Sequence, residues 1–153
     1  MSDLIIRNCL NEDGDITDIL IKDKTIVENS SKIDVSDIPQ IDAKNHFVTT
    51  PFVDSHFHMD ATLSYGLPRV NRSGTLLEGI KLWGELKPTL TIDAIKDRAR
   101  ELCKWSIARG TLAIRSHVDV SGKDLLAVEA LLDIKEEMKD WIDLQLVAFP
   151  QDG

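Results

Sequence analysis

The stretch PFVDSHFHMD, residues 51–60, places His56 and His58 two apart in an apolar run and flanks them with Asp54 and Asp60. In a β-strand, residues two apart project from the same face, so both imidazoles would stand side by side on one surface. That is a metal-gripping geometry. An H-x-H alone is a weak motif, and its meaning depends on the rest of the chain.

Downstream of this stretch the sequence alternates between two periodicities. A strand at about 51–58 precedes a helix at about 75–86, ended by Pro88, and a second helix at about 92–109, closed by Gly110. A strand at about 111–120 follows, then a helix opened by Ser121 with Asp124 as a capping box, then a strand at about 142–149. The order β-α-β-α-β predicts a parallel sheet, because parallel neighbours need crossover connections. In TLAIRSHVDV, Leu112, Ile114, Val118 and Val120 share one face, and Thr111, Ala113, Arg115, His117 and Asp119 share the other. In WIDLQLVAFPQ, Ile142, Leu144 and Leu146 oppose Asp143, Gln145, Val147 and Phe149. In PFVDSHFHMD, Val53, Phe57 and Met59 form the expected outer set, and Phe52, Asp54, His56 and His58 the inner one.

Each strand therefore has one apolar and one mixed face. An open parallel sheet covered on both sides would be apolar nearly throughout. A barrel tolerates polar groups towards its C-terminal mouth, where catalytic residues collect. His58, His117, Asp119 and Gln151 all fall at C-terminal strand ends. His117 and Asp119 either serve such a mouth or hydrogen-bond each other. Trp83 and Trp105 lie at helical spacing with leucine and isoleucine, which predicts core packing for both, and His46 reads as a surface residue.

Upstream, residues 3–8, 18–22 and 25–28 are short β-type runs separated by the turn signals NEDG and KDK, and they predict a small antiparallel β unit. Residues 29–45 read as a polar connection with one short strand at Ile41. The expected organisation is a first unit over 1–48 and a second over 49–153.

Composition bounds the function. The 153 residues are 42% hydrophobic and 29% charged, which is the balance of a globular chain with a real core. A net charge of −8 with no basic stripe argues against nucleic acid and favours a small ligand. Cys9 and Cys103 lie far apart without a C-x-x-C, so neither a disulfide framework nor a thiolate zinc site is expected, and a reducing cytoplasm is the simplest compartment. The start MSDLIIRNCL carries an acid at position 3 and no long apolar stretch, so neither a signal peptide nor a membrane span is expected.

The run VTTPFVDSHFHMD resembles the first barrel strand of the amidohydrolase superfamily, and NRSGTLLEGIKLW, RSHVDV and WIDLQLVAFPQDG are similar in order and spacing to the bacterial cytosine deaminase family. The resemblance covers essentially the whole chain. It implies the N-terminal part of an α/β, (β/α)8 TIM-type barrel, preceded by strands of a small β-sandwich domain. It further implies a hydrolytic deaminase that converts cytosine to uracil and ammonia, is cytoplasmic, and is a homo-oligomer at full length. One divalent ion, iron or zinc, would be held by His56 and His58. Gln151 would bind the amide edge of the pyrimidine substrate and Leu76 would line the ring pocket. The zinc deaminases of flipped bases carry H-x-E with P-C-x-x-C, which this sequence lacks.

The resemblance also implies that the catalytic groups lie beyond residue 153: a third metal-binding histidine, a glutamate, a further histidine and an aspartate of the last strand. A complete barrel takes about 250 residues, and residues 47–153 supply about three strands. The chain is thus expected to be the N-terminal portion of a longer enzyme, with a non-catalytic truncated module as the reading from a different class. Another cyclic amidine or a triazine is the alternative substrate.

Overall fold

The computed structural model describes residues 3–122 and 124–151. Met1 and Ser2, and the closing Asp152 and Gly153 of WIDLQLVAFPQDG, lie outside the described residues. The chain divides into two compact units, Met1–Thr50 and Pro51–Gly153.

The first unit is a four-stranded sheet built from β1 (Leu4–Leu10), β2 (Ile16–Lys22), β3 (Thr25–Ser30) and β4 (Gln40–Asp42), in the order β3-β2-β1-β4. β2 and β3 form a tight hairpin whose two turn residues, Asp23 and Lys24, both have positive φ, 47° and 67°. This is the turn twist that matches right-handed strands. The unit is not purely antiparallel as its turn signals predict, because β4 runs parallel to β1. A polar connection of residues 31–39 makes that crossover possible, and Arg7 pins it down. The Arg7 guanidinium donates to the Ile33 and Val35 carbonyls at 2.6 and 2.9 Å and pairs with the buried Asp18 carboxylate at 2.5 Å. Ile33 itself drops into the core beside Ile5 and Leu20.

The second unit is a three-stranded parallel sheet in the order β5-β6-β7, formed by β5 (Phe52–Phe57), β6 (Thr111–Asp119) and β7 (Asp143–Phe149). Helices α1 (Leu76–Leu86) and α2 (Ile92–Ala108), with a 3-10 turn Lys87–Thr89 between them, link β5 to β6, and α3 (Leu126–Met138) links β6 to β7. Thr75 and Thr91 cap α1 and α2 through their hydroxyls. Ile95, Ala99 and Cys103 of α2, with Ala130, Leu131 and Ile134 of α3, pack on Ile114, Val118 and Leu144 of the sheet, all almost fully buried. The apolar face of β6 and β7 is thus the helix-covered one, as period two predicts.

Three expectations fail here for physical reasons. The first concerns β5, which pairs Phe52 with Thr111 but Val53 with Ala113, and Asp54 with Ile114 but Phe57 with Ser116, so one extra residue enters β6 before Ala113 and one enters β5 between Asp54 and Phe57. The first insertion reverses the phase and the second restores it. Val53 therefore shares a face with Ala113 and Asp54 with Ile114, the reverse of strict alternation, while Phe57 and Met59 still face the helices. The second concerns Ser121, which does not cap a helix: α3 begins at Leu126 without a side-chain cap, and the Ser121 amide and hydroxyl both donate to Asp119 at 2.8 and 2.5 Å. The nearby carboxylate is the stronger acceptor. The third concerns Trp105, which is 54% exposed with its indole donating to Glu101 one turn earlier, at 2.7 Å.

The link from α2 to β6 turns at Gly110, whose φ is +82°. A Cβ there would meet a Phe52 ring carbon at 3.7 Å, an ordinary contact, so strain alone decides. Gly110→Ala should cost about 1–2 kcal/mol in urea unfolding, and an unchanged midpoint would show that the turn relaxes freely. The loop before α1 is strapped by Glu78, which accepts from the Ser73 hydroxyl and amide at 2.6 and 2.7 Å and from Arg69 at 2.9 Å. Those bonds, the Ser73 hydroxyl foremost, pull the Glu78 carboxyl from 4.5 down to about 2. A depressed carboxyl stabilises the fold fully above its unfolded value, and that contribution is lost as pH falls through about 2. A carboxyl ¹³C titration should therefore show a Glu78 midpoint near 2, and a midpoint of 4.5 or higher would mean that the strap does not form in solution.

Candidate functional site

His56, His58 and His117 gather on the face of the sheet away from the helices. His56 and His117 stack with ring centres 4.0 Å apart at 22°, and His56 and His58 meet at 5.3 Å and 70°. Phe149 of β7 closes the cluster edge-on, 5.3 Å from His58 and 6.0 Å from His117. The inserted residue in β5 matters here, because it brings His56 into stacking distance of His117 on β6.

The ring geometry tests which imidazoles suit a shared ion. With metal–nitrogen bonds of about 2.0–2.1 Å, two imidazoles at a tetrahedral angle place their centres roughly 5 Å apart, with their nitrogens converging. His56 and His58, with centres 5.3 Å apart, match this spacing. His56 and His117 do not, because rings stacked nearly parallel at 4.0 Å aim their nitrogens alongside each other rather than at a common point. Among the described residues no group of three or more His, Cys, Asp or Glu is arranged to hold a metal ion. His56 and His58 are the pair whose ring spacing suits a shared ion.

A cavity of about 210 Å³ opens beside His58, lined by Asp60, Leu76, Trp83, Asp119 and Gln151 among others. Three of the residues singled out in the sequence thus meet in one place: His58 just after β5, Gln151 after β7, and Leu76 at the first turn of α1. His56 is exposed and does not line this cavity. Leu76 is 78% exposed overall, which leaves its side chain available as a wall.

The cavity floor is ionic. Asp60 is 1% exposed and accepts the Asp119 and Ala61 amides at 2.9 and 3.0 Å. Burial pushes its carboxyl up despite those bonds. Burial alone would also raise Asp119, but the Lys87 ammonium at 2.6 Å, Ser121 and the Trp83 indole at 2.7 Å together hold it well below the usual carboxylate range. Arg98 of α2 fastens the loop after β5 by donating to the carbonyls of Thr62 and Asp60 at 2.9 and 3.2 Å.

Trp83, like Trp105, is misplaced by sequence patterning: helical spacing suggests core, yet its indole faces the cavity and bonds a carboxylate. A spacing of seven from Leu76 was the available signal, since it sets both on one side of α1. Nothing in the sequence singles out Lys87.

The parallel βα units, with H-x-H closing the first strand, are the opening part of a barrel, and the family match says of which kind. A profile of the amidohydrolase family matches residues 40–153, and the chain belongs to that family. Its architecture is the N-terminal part of the amidohydrolase fold, a partial barrel; family members generally use a divalent metal.

Among individual proteins, the N-isopropylammelide isopropyl amidohydrolase of Pseudomonas sp. (strain ADP) is 40% identical across 99% of this chain and 39% of its own length. The 5-methylcytosine deaminase of Klebsiella pneumoniae, solved with 5-fluorocytosine, superposes with a TM-score of 0.90 at 38% identity, covering 97% of this chain and 37% of that one. The N-isopropylammelide isopropylaminohydrolase of Burkholderia multivorans gives 0.83 at 26% identity, over 100% of this chain and 39% of its own. The chain therefore spans less than two fifths of the length of these relatives.

Proposed function

We propose that this chain contributes the first metal-ligand pair and one wall of the substrate pocket to a hydrolase that cleaves an exocyclic C–N bond of a nitrogen heterocycle, with cytosine or a related aminopyrimidine as substrate. Water replaces the amino group, so cytosine yields uracil and ammonia. The observation that carries this reading is the convergence of His58, Leu76 and Gln151 on one cavity beside a two-imidazole donor set.

His56 and His58 would hold a divalent ion, iron or zinc. When bound, such an ion activates water as a nucleophile at neutral pH. The chain's own residues do the rest of the work assigned here. Leu76 offers an apolar surface to the flat ring. Gln151 carries both an acceptor and donors, so one side chain can pair with the adjacent carbonyl and N–H of a pyrimidine amide edge and fix which ring carbon faces the histidines. Asp60 and Asp119 are committed to structural partners and serve the site by fixing its frame.

A second reading has specific support. The relative that is 40% identical is named for an N-isopropyl-substituted triazine, so an alkylaminotriazine that releases an alkylamine is the alternative substrate. Both readings share the cavity and the ion. They separate by leaving group: ammonia release from aminopyrimidines against isopropylamine release from N-isopropylammelide, assayed with the full-length protein. Absence of both products would overturn the proposal.

Replacing His56 or His58 with alanine should strip the ion from the full-length protein and abolish amine release, because losing one of few ligands undermines affinity and geometry together. Elemental analysis showing normal metal content in both variants would remove them from the ligand set. Gln151→Ala should keep the metal and lose roughly 1–3 kcal/mol in kcat/KM, since a buried polar edge of the substrate is left unpaired. Unchanged kinetics on the preferred heterocycle would place Gln151 outside the site.

A further inference from the structure

Behind the His58 cavity lies a second one, of about 230 Å³, lined by Lys87, Pro88, Leu90, Asp124 and Leu126 among others. Trp83 and Asp119 line both cavities. The indole is not free to swing between them. Its N–H donates to Asp119 Oδ2 at 2.7 Å, the same oxygen that Lys87 Nζ approaches at 2.6 Å. The other carboxylate oxygen accepts from Ser121, and the Asp119 amide is held by the buried Asp60 carboxylate at 2.9 Å. An aromatic plate is thereby clamped to a carboxylate whose oxygens are both engaged, in the lining that the two cavities share.

We propose that Trp83 is a partition that determines specificity: clamped by Asp119, it closes the His58 cavity against the space behind it and limits the size of the substituent that a six-membered nitrogen heterocycle can carry on the side facing the indole, away from the leaving group. The proposal rests on the substrate class argued above and deepens it. Removing the indole would roughly double the space available to a ligand, from 210 Å³ towards the sum with the adjoining 230 Å³. Substituents of three carbons would then find room between Pro88, Leu90 and Leu126, which are apolar.

The test uses the full-length, metal-loaded protein and calorimetric binding of uracil and of uracils bearing a propyl group at C5, C6 or N3, so that the result does not depend on turnover. Trp83→Leu should raise the affinity of at least one propyl homologue relative to uracil by about tenfold or more, the scale on which hydrophobic pockets discriminate small alkyl groups. Trp83→Phe, which keeps an aromatic ring but shortens it and drops the N–H, should shift the same ratio in the same direction by less, and it decides the matter if the leucine variant does not fold. A ratio unmoved for all three positions in a folded variant overturns the partition. Wild-type protein that binds neither uracil nor N-isopropylammelide, titrated alongside it, would overturn the proposed function instead, and the two failures are distinguishable on the wild-type titrations alone.

Discussion

The Asp60 carboxylate is the hinge of the second unit. Ladder pairing between β5 and β6 ends at Phe57, just where His58 must be aimed, so the backbone there needs other anchors. Two side-chain bonds take over: the Met59 amide donates to the buried Ser116 hydroxyl at 3.0 Å, and the Asp119 amide donates to Asp60 at 2.9 Å. Both lie out of water, where an unmade polar contact costs more than the same contact at the surface. A chain that lost either would free the segment carrying His58. This explains why a carboxyl is tolerated at 1% exposure although burial raises its pKa.

The same carboxylate organises a chain of charges. Asp60 fixes the backbone of Asp119, and Asp119 draws in Lys87 and the Trp83 indole from the C-terminal part of α1 and the turn after it. Helix α1 is thereby tied to the end of β6 at one end and strapped to its preceding loop by Glu78 at the other. Leu76 sits at the start of this doubly anchored helix. Its position over the cavity thus follows from polar contacts two turns away, since a helix transmits a fixed end along its length at 1.5 Å per residue.

Period two on β6 and β7, the glycine stop at Gly110 and the histidine pair two apart are local signals, and the three parallel strands, the boundaries of α1 and α2 and the face carrying the histidines were legible from them. What escaped the sequence was decided by competition between distant groups. Ser121 has the spacing of a helix cap, but the choice between a helix amide and the Asp119 carboxylate depends on a tertiary neighbour. The phase of Val53 and Asp54 depends on an extra residue in β6 between the partners of Phe52 and Val53, which no alternation in β5 alone discloses. Trp83 and Trp105 share a helical apolar pattern, yet one faces a cavity and the other a surface glutamate, because pattern reports a face and not what covers it. Arg7 is of the same kind: its role depends on carbonyls 26 and 28 residues away.

Why chemistry-bearing residues collect at one edge follows from strand direction. In a parallel sheet every strand ends on the same side, so residues just past each end become neighbours whatever their separation in sequence. His58 follows β5 immediately, Asp119 ends β6 and Gln151 lies two residues past β7, and all three line the same cavity. An antiparallel arrangement would send one of the three to the opposite edge. The crossover helices fix that direction: α2 and α3 bury their apolar faces on the Ile114, Val118 and Leu144 side of the sheet, which leaves the other face to the imidazoles. Burial on one face and the shared strand direction together therefore bring His58, Asp119 and Gln151 to a single mouth.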